Sequence, residues 1–301
     1  MSFPAKILLF GEYGILLNSM GLAIPYPHFS GYFSFIIGLN DNSGTLETES
    51  NGELKKLLNY LKKDPSKFQY LNIEHFEHEI GEGIYFNSTV PQGSGLGSSG
   101  TLTAAIYDRY ALNKENTEYQ KIKGDLTAIE TYFHGVSSGI DPFISLVKRP
   151  VVFNEQTIPV TSFDLSPFLS TYTLFLINTH SKGNTGHLVT LFMERIRQFE
   201  FKEKIINEYI PLINQTINAV LESDFIAAES CLVRYSRFQL SHFSNIIPDK
   251  MKKYFLAGLK SRDFYLKICG SGGGGYLLGI ARDRLKAEAY FNLNQLDYTV
   301  V

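Results

Sequence analysis

Residues 91–105 read PQGSGLGSSGTLTAA, with four glycines and three serines in the first ten positions and helix-forming residues after them. A Gly/Ser tract can be a flexible linker, yet this one runs straight into an amphipathic segment. Leu102, Ala105, Ile106 and Tyr110 recur at helical spacing, with Thr103, Asp108 and Arg109 between or opposite them. Ahead of the loop, IYFNSTV at 84–90 has the composition of a strand. Strand, glycine loop and helix start, in that order, set unpaired backbone N–H groups at the positive end of a helix dipole. Such an arrangement suits an anion, most often a phosphate. The same residues also fit an ordinary turn before a capped helix, with Ser98 or Ser99 as the N-cap.

The chain around this loop has 301 residues, 28 Lys and Arg against 30 Asp and Glu, and 44% hydrophobic residues. That length accommodates two domains or one large one. A net charge of −2 without a basic block argues against nucleic acid as the main partner. No apolar run reaches membrane-spanning length, and the first ten residues lack the apolar stretch of a signal peptide. Cys231 and Cys269 read as free thiols, and the expected location is the cytoplasm.

Residues 5–16 begin as a strand that Gly11 interrupts, and 32–38 look like a second strand. The polar stretch 40–53 reads as loop and hairpin turn, and leucines from 53 to 63 mark a helix. EHFEHE, containing His75 and His78, reads as an exposed charged segment rather than a metal site. A helix over 116–133 carries Ile122, Leu126, Ile129 and Phe133 on one face. After HGVSSGIDPF, a second Gly/Ser loop, strand character returns in VKRPVVFN. TLFLINT (173–179) is a strand, long helical sequence from His187 to Glu222 is broken at Pro211, and 264–281 frames four glycines with two strands. The organisation changes near residue 155, which predicts domains over 1–155 and 156–301.

Two acidic residues stand out. Glu130 borders the apolar stripe of its helix, where a carboxylate needs a cation, either a metal or an Arg or Lys. Asp141 ends the second Gly/Ser loop, and Pro142 after it biases its backbone towards an extended form. An Asp-Pro pair is also a common plain turn. His134 is read as ordering its loop. The 91–100 loop has no lysine and so no Walker A motif, and a dinucleotide fingerprint fits poorly.

KILLFGEYGIL (6–16), PQGSGLGSSG (91–100) and KICGSGGGGYLLG (267–279) together resemble the three motifs of the GHMP kinase superfamily, in order. Within it, ETYFHGVSSGID (130–141) is most similar to the corresponding segment of the mevalonate kinases. The resemblance spans residues 4–279. It implies an α+β fold with an N-terminal ribosomal-S5-domain-2-like α/β domain, a C-terminal ferredoxin-like α/β domain and the nucleotide in the cleft between them. It implies ATP as co-substrate and Mg²⁺ as cofactor. Gly93, Gly95, Leu96, Gly97, Ser98 and Ser99 would bind ATP, with Ser99 and Glu130 holding the metal. Asp141 would be the base facing the acceptor hydroxyl, with Lys6 beside it. Glu12, Tyr13, Gly272 and Gly273 would face the acceptor, a small hydroxylated acid such as mevalonate. No nucleic acid and no membrane enter as partners, and a homodimer stays open.

The sequence departs from the pattern at the acceptor end. The first motif reads Phe10-Gly11-Glu12-Tyr13 where mevalonate kinases usually have HGEH. Gly183 stands where an acceptor-holding arginine is usual, so Lys182 is expected to take that task, with Arg234 and Arg237 next. Alternatives are phosphomevalonate kinase, homoserine kinase, diphosphomevalonate decarboxylase, or a non-catalytic sugar sensor on the same fold.

Overall fold

The computed structural model describes residues 1–36, 46–135, 137–154, 162–181 and 185–301. It is a mixed helix and sheet protein, and its contacts fall into two compact units that interleave along the chain. Unit one comprises Met1–Lys6, Pro25–Pro91 and Gly97–Arg149. Unit two comprises Ile7–Ile24, Gln92–Leu96 and Pro150–Val301.

The chain opens with strands β1 (Phe3–Phe10) and β2 (Gly21–Phe35). β2 begins well before the expected position at residue 32. Pro25 and Pro27 hid its first half, because a proline removes a ladder donor and counts against a central strand. Unit one continues with α1 (Leu46–Leu61), α2 (Ile73–Gly81), β3 (Ile84–Ser88), α3 (Ser98–Tyr110), α4 (Tyr119–His134) and α5 (Ile140–Val147). The end of β2 pairs antiparallel with β3, Gly31 opposite Ser88 and Phe35 opposite Ile84. From residue 46 the stretch expected as loop and hairpin is helix instead, while 40–45 lie outside the described residues. Leu54, Leu57, Leu58 and Leu61 bury one face there, and that outweighs the polar start.

α3 is buried on most sides. Ala104 and Ala105 pack with Phe3, joined by Phe33, Phe86 and Leu146. Its small residues allow close neighbours: a Cβ on Gly100 would stand 2.9 Å from the backbone of Asp141 on α5. EHFEHE proves to be part of α2, and it is not wholly exposed. Glu79 is buried and accepts hydrogen bonds from Arg109 Nε (2.6 Å) and Tyr110 Oη (2.7 Å) of α3. A buried carboxylate stays charged only with such partners.

Unit two holds β4 (Val151–Phe153), α6 (Ser166–Thr171), β5 (Thr173–Asn178), α7 (Thr185–Arg195), α8 (Phe199–Lys204), α9 (Ile210–Leu221), α10 (Phe225–His242), α11 (Asp249–Ser261), β6 (Tyr265–Ile268), β7 (Tyr276–Ala281), α12 (Arg284–Leu293) and β8 (Tyr298–Val300). β6-β7-β5-β8 form an antiparallel sheet. The break expected at Pro211 is a π-helical turn, Ile205–Tyr209, just before α9. Proline supplies no N–H to the preceding turn, and a wider turn accommodates that loss.

Contacts thus divide the chain differently from a single cut near residue 155. The start of β2 pairs with β4, Gly21 opposite Phe153, so that early segment finds its neighbours after residue 150. Among the described residues no helix is long and apolar enough to cross a membrane.

Two helical glycines should respond oppositely to alanine. Nothing lies within 4 Å of a Cβ at Gly52 in α1, so Gly52→Ala should raise stability by up to ~1 kcal/mol through helix propensity. A Cβ at Gly258 in α11 would sit 2.4 Å from the Phe264 carbonyl oxygen. Gly258→Ala should therefore lower stability by roughly 1–3 kcal/mol. Thermal melts of the two variants check both signs.

Candidate active site

In unit one the start of α3 meets the second Gly/Ser loop. The N-cap of α3 is Gly97, in the left-handed region at φ 78°, and no side chain caps the helix. Ser98 and Ser99 therefore lie inside the first helical turn rather than at the cap, and no side chain caps its N–H groups, an arrangement that suits an anion. Glycine is required at 97 on two counts. Its φ is positive, and a Cβ would press on Lys6 Cγ (3.1 Å) and Asp141 Oδ2 (3.3 Å).

Lys6 Nζ lies 3.1 Å from Asp141 Oδ1, with the lysine side chain 7% exposed and the aspartate side chain 36% exposed. The pair keeps a carboxylate reachable from solvent beside a buried cation. Asp141 is not extended, as Pro142 had suggested. It occupies the first turn of α5, behind Gly139 at the N-cap. Proline is tolerated in a first turn because no intrahelical N–H bond is lost there. The positive end of the helix favours the Asp141 carboxylate.

Glu130, only 4% exposed, points into the same cluster from α4. Ser99 Oγ approaches its Oε1 at 3.3 Å, and Ser137 Oγ donates to its Oε2. Burial, then the charge of Asp141, push the Glu130 carboxyl up to about 7, against the pull of Ser137, Lys6 and Ser99. Lys6 is one cation for two carboxylates, so the cluster is short of positive charge. Hard oxygen donors around such a deficit fit Mg²⁺. Among the described residues no group of three or more His, Cys, Asp or Glu could hold a metal unaided.

His134, read from the sequence as ordering its loop, and Ser137, which the sequence reading did not single out, are members of this cluster. Ser99 Oγ is 2.8 Å from His134 Nε2. A signal was present in HGVSSG, where a histidine and a serine follow the buried Glu130 within two turns.

Unit two contains the other expected residues. Gly93, Gly95 and Leu96 precede Gly97 in the chain, and here Gly95 meets the third glycine loop. A Cβ on Gly95 would be 2.8 Å from the Cys269 carbonyl oxygen, and one on Gly270 would be 3.0 Å from Gly95 Cα. Only glycines permit two backbones to run this close. Gly273 N–H donates to the Ile246 carbonyl (2.7 Å), and Cβ atoms at Gly272 and Gly273 would collide with Ile246 and Leu188. These two glycines shape the loop.

Glu12 and Tyr13, expected to face the acceptor, are buried with their polar atoms engaged. Lys267 Nζ pairs with Glu12 Oε1 and also donates to the Leu8 (3.2 Å) and Ile268 (2.7 Å) carbonyls. Tyr235 Oη donates to Glu12 Oε2 at 3.0 Å. Burial raises the Glu12 pKa while Lys267 opposes it. Tyr13 Oη donates to the Ser271 carbonyl (2.6 Å), and its ring packs on Phe192 and Phe243. Both residues brace the third glycine loop. Lys267 went unnoticed in the sequence, although a lone lysine within FYLKIC must find a buried partner. Lys182 lies outside the described residues.

Residues 57–149 match the family described as GHMP kinases N terminal domain. Curated relatives include the mevalonate kinase of Archaeoglobus fulgidus, 28% identical, with 93% of this chain and 91% of the relative aligned. The mevalonate kinase of Pyrococcus horikoshii is 22% identical over 96% of this chain and 90% of its own length. Among solved structures, L. major mevalonate kinase in complex with R-mevalonate superposes with a TM-score of 0.66 at 14% identity, covering 97% of this chain and 89% of that one.

The Glu130 carboxyl gives a pH test. Its folded value is raised, so its contribution favours the fold while protonated. That contribution is complete below 4.5, the unfolded value, and disappears as pH rises through about 7. The melting temperature of the metal-free protein should fall between about pH 5 and pH 8, and Glu130→Gln should flatten that part of the slope. An identical slope in the variant would contradict the burial argument.

Proposed function

We propose that this chain, a member of the GHMP kinase superfamily, transfers the γ-phosphoryl group of ATP to the hydroxyl of mevalonate, giving 5-phosphomevalonate for isoprenoid precursor synthesis in the cytoplasm. The observation that carries this reading is the cluster of Lys6, Asp141, Glu130 and Ser99 at the uncapped start of α3.

Phosphoryl transfer asks a protein for positioning and charge stabilisation more than for covalent chemistry. The backbone amides of residues 95–99, continuous with the α3 N-terminus, cradle the phosphates. Ser99 and Glu130 would hold Mg²⁺, which would supply positive charge to offset that of the phosphates. Asp141 takes the proton of the acceptor hydroxyl. Lys6, buried against it, faces the charge that develops on the transferred group. Glu12 and Tyr13 act through the third loop, which their contacts brace.

ADP release measured with mevalonate, phosphomevalonate, homoserine and galactose tests the acceptor. Turnover with mevalonate alone is expected, and turnover with none of the four would overturn the reading. Asp141→Asn should bind ATP nearly as the wild type does and lose turnover by roughly 10²–10⁴-fold, the worth of a general base. Retention of more than about a tenth of the rate would remove Asp141 from that role. Lys182→Ala should raise KM for mevalonate about ten- to a hundredfold, the loss of one charge-assisted contact. KM for ATP and kcat should stay nearly constant, since such binding is uniform between ground and transition states.

A further inference from the structure

Ser99 carries one hydroxyl proton and two lone pairs, and with His134 as the tautomer protonated on Nδ1 two acceptors compete for that proton. Glu130 Oε1 lies 3.3 Å from Ser99 Oγ and His134 Nε2 lies 2.8 Å from it. If the proton goes to Glu130, one carboxylate lone pair is tied up and the hydroxyl turns its hydrogen towards the space a shared cation would fill. If it goes to His134, the lone pairs of Ser99 Oγ and Glu130 Oε1 are not taken up by each other. With His134 carrying its proton on Nδ1, the shorter contact fits the second arrangement.

We infer that His134 is a positioning residue that accepts the Ser99 hydroxyl proton and so aims the Ser99 oxygen at a divalent cation shared with Glu130. The inference rests on the reading of Ser99 and Glu130 as metal ligands. Its ring is placed by the chain itself. His134 is the last residue of α4, the helix that carries Glu130, and the chain turns away at Gly135 with φ 72°. One helix therefore supplies both the carboxylate and the group that orients the neighbouring hydroxyl. His134 acts from outside the metal shell, as partners of metal ligands commonly do.

Mn²⁺ binding in the presence of a non-hydrolysable ATP analogue, followed by electron paramagnetic resonance, reads this without turnover. His134→Phe keeps a flat ring and removes the acceptor, and it should weaken Mn²⁺ binding about tenfold, the low end of losses from outer-shell substitutions. His134→Gln retains an acceptor near the Nε2 position and should recover most of that loss. The double variant His134→Phe/Ser99→Ala should bind Mn²⁺ no more weakly than Ser99→Ala, because His134 acts only through Ser99. Additive losses, or wild-type binding in His134→Phe alongside weakened binding in Ser99→Ala and Glu130→Gln, would overturn the assignment of His134 alone. Unchanged binding in Ser99→Ala and Glu130→Gln would overturn the metal-site reading and this inference with it.

Discussion

Glu130 sets the terms for the first unit. It is almost fully enclosed, it faces a second carboxylate, and its one nearby cation is already in contact with that second carboxylate. Removing a charge from water costs several kcal/mol unless the surroundings replace the lost hydration. Here Ser137, Ser99 and Lys6 replace part of it, and the carboxyl remains raised. A cation bound there, as proposed, would meet the deficit, so affinity for metal and instability of the empty cluster would have one cause.

A different buried charge organises the second unit. Lys267 and Glu12 are both enclosed, and their hydrogen bonds extend through Tyr235 to Tyr209 and Gln239, returning to the Ile268 N–H. A pair so fully satisfied contributes little net stability compared with an apolar core, but it tolerates only one register. It fixes the end of β1 against β6, the strand that leads into the third glycine loop. The Gly95–Cys269 backbone approach then has a rigid base.

The strand-to-helix glycine loop, the helix after it, and Glu130 and Asp141 as residues to watch were legible because each rests on local pattern, while the roles proposed for them rest on the family resemblance. Gly97, Ser99, Glu130 and Asp141 are spaced by helix and loop geometry that a sequence displays directly. What stayed hidden depends on contacts between distant segments. Nothing near Lys267 announces Glu12, 255 positions away, and nothing near Glu79 announces Arg109. Local rules also misled where packing opposed them. Pro142 argued for an extended Asp141, yet α5 buries Phe143 and Ile144 and keeps Asp141 in its first turn. Pro25 and Pro27 argued against a strand that runs through both.

The departure at Tyr13 can now be weighed against the departure at Gly183. Tyr13 sits at φ 62°, its ring lies against Phe192 and Phe243, and its hydroxyl is bonded to the Ser271 carbonyl. An aromatic ring with a terminal donor suits that apolar wall and that carbonyl together, and a histidine could not fill the same volume while reaching Ser271. The tyrosine is therefore accounted for by how this chain packs its third glycine loop. Lys182 and Gly183 differ in kind. Exchanging an arginine fork for a lysine one position earlier alters how a carboxylate can be held, a point charge in place of two parallel hydrogen bonds. If Lys182 holds the acceptor as proposed, selectivity for that acceptor should be looser here than a bidentate clamp would impose.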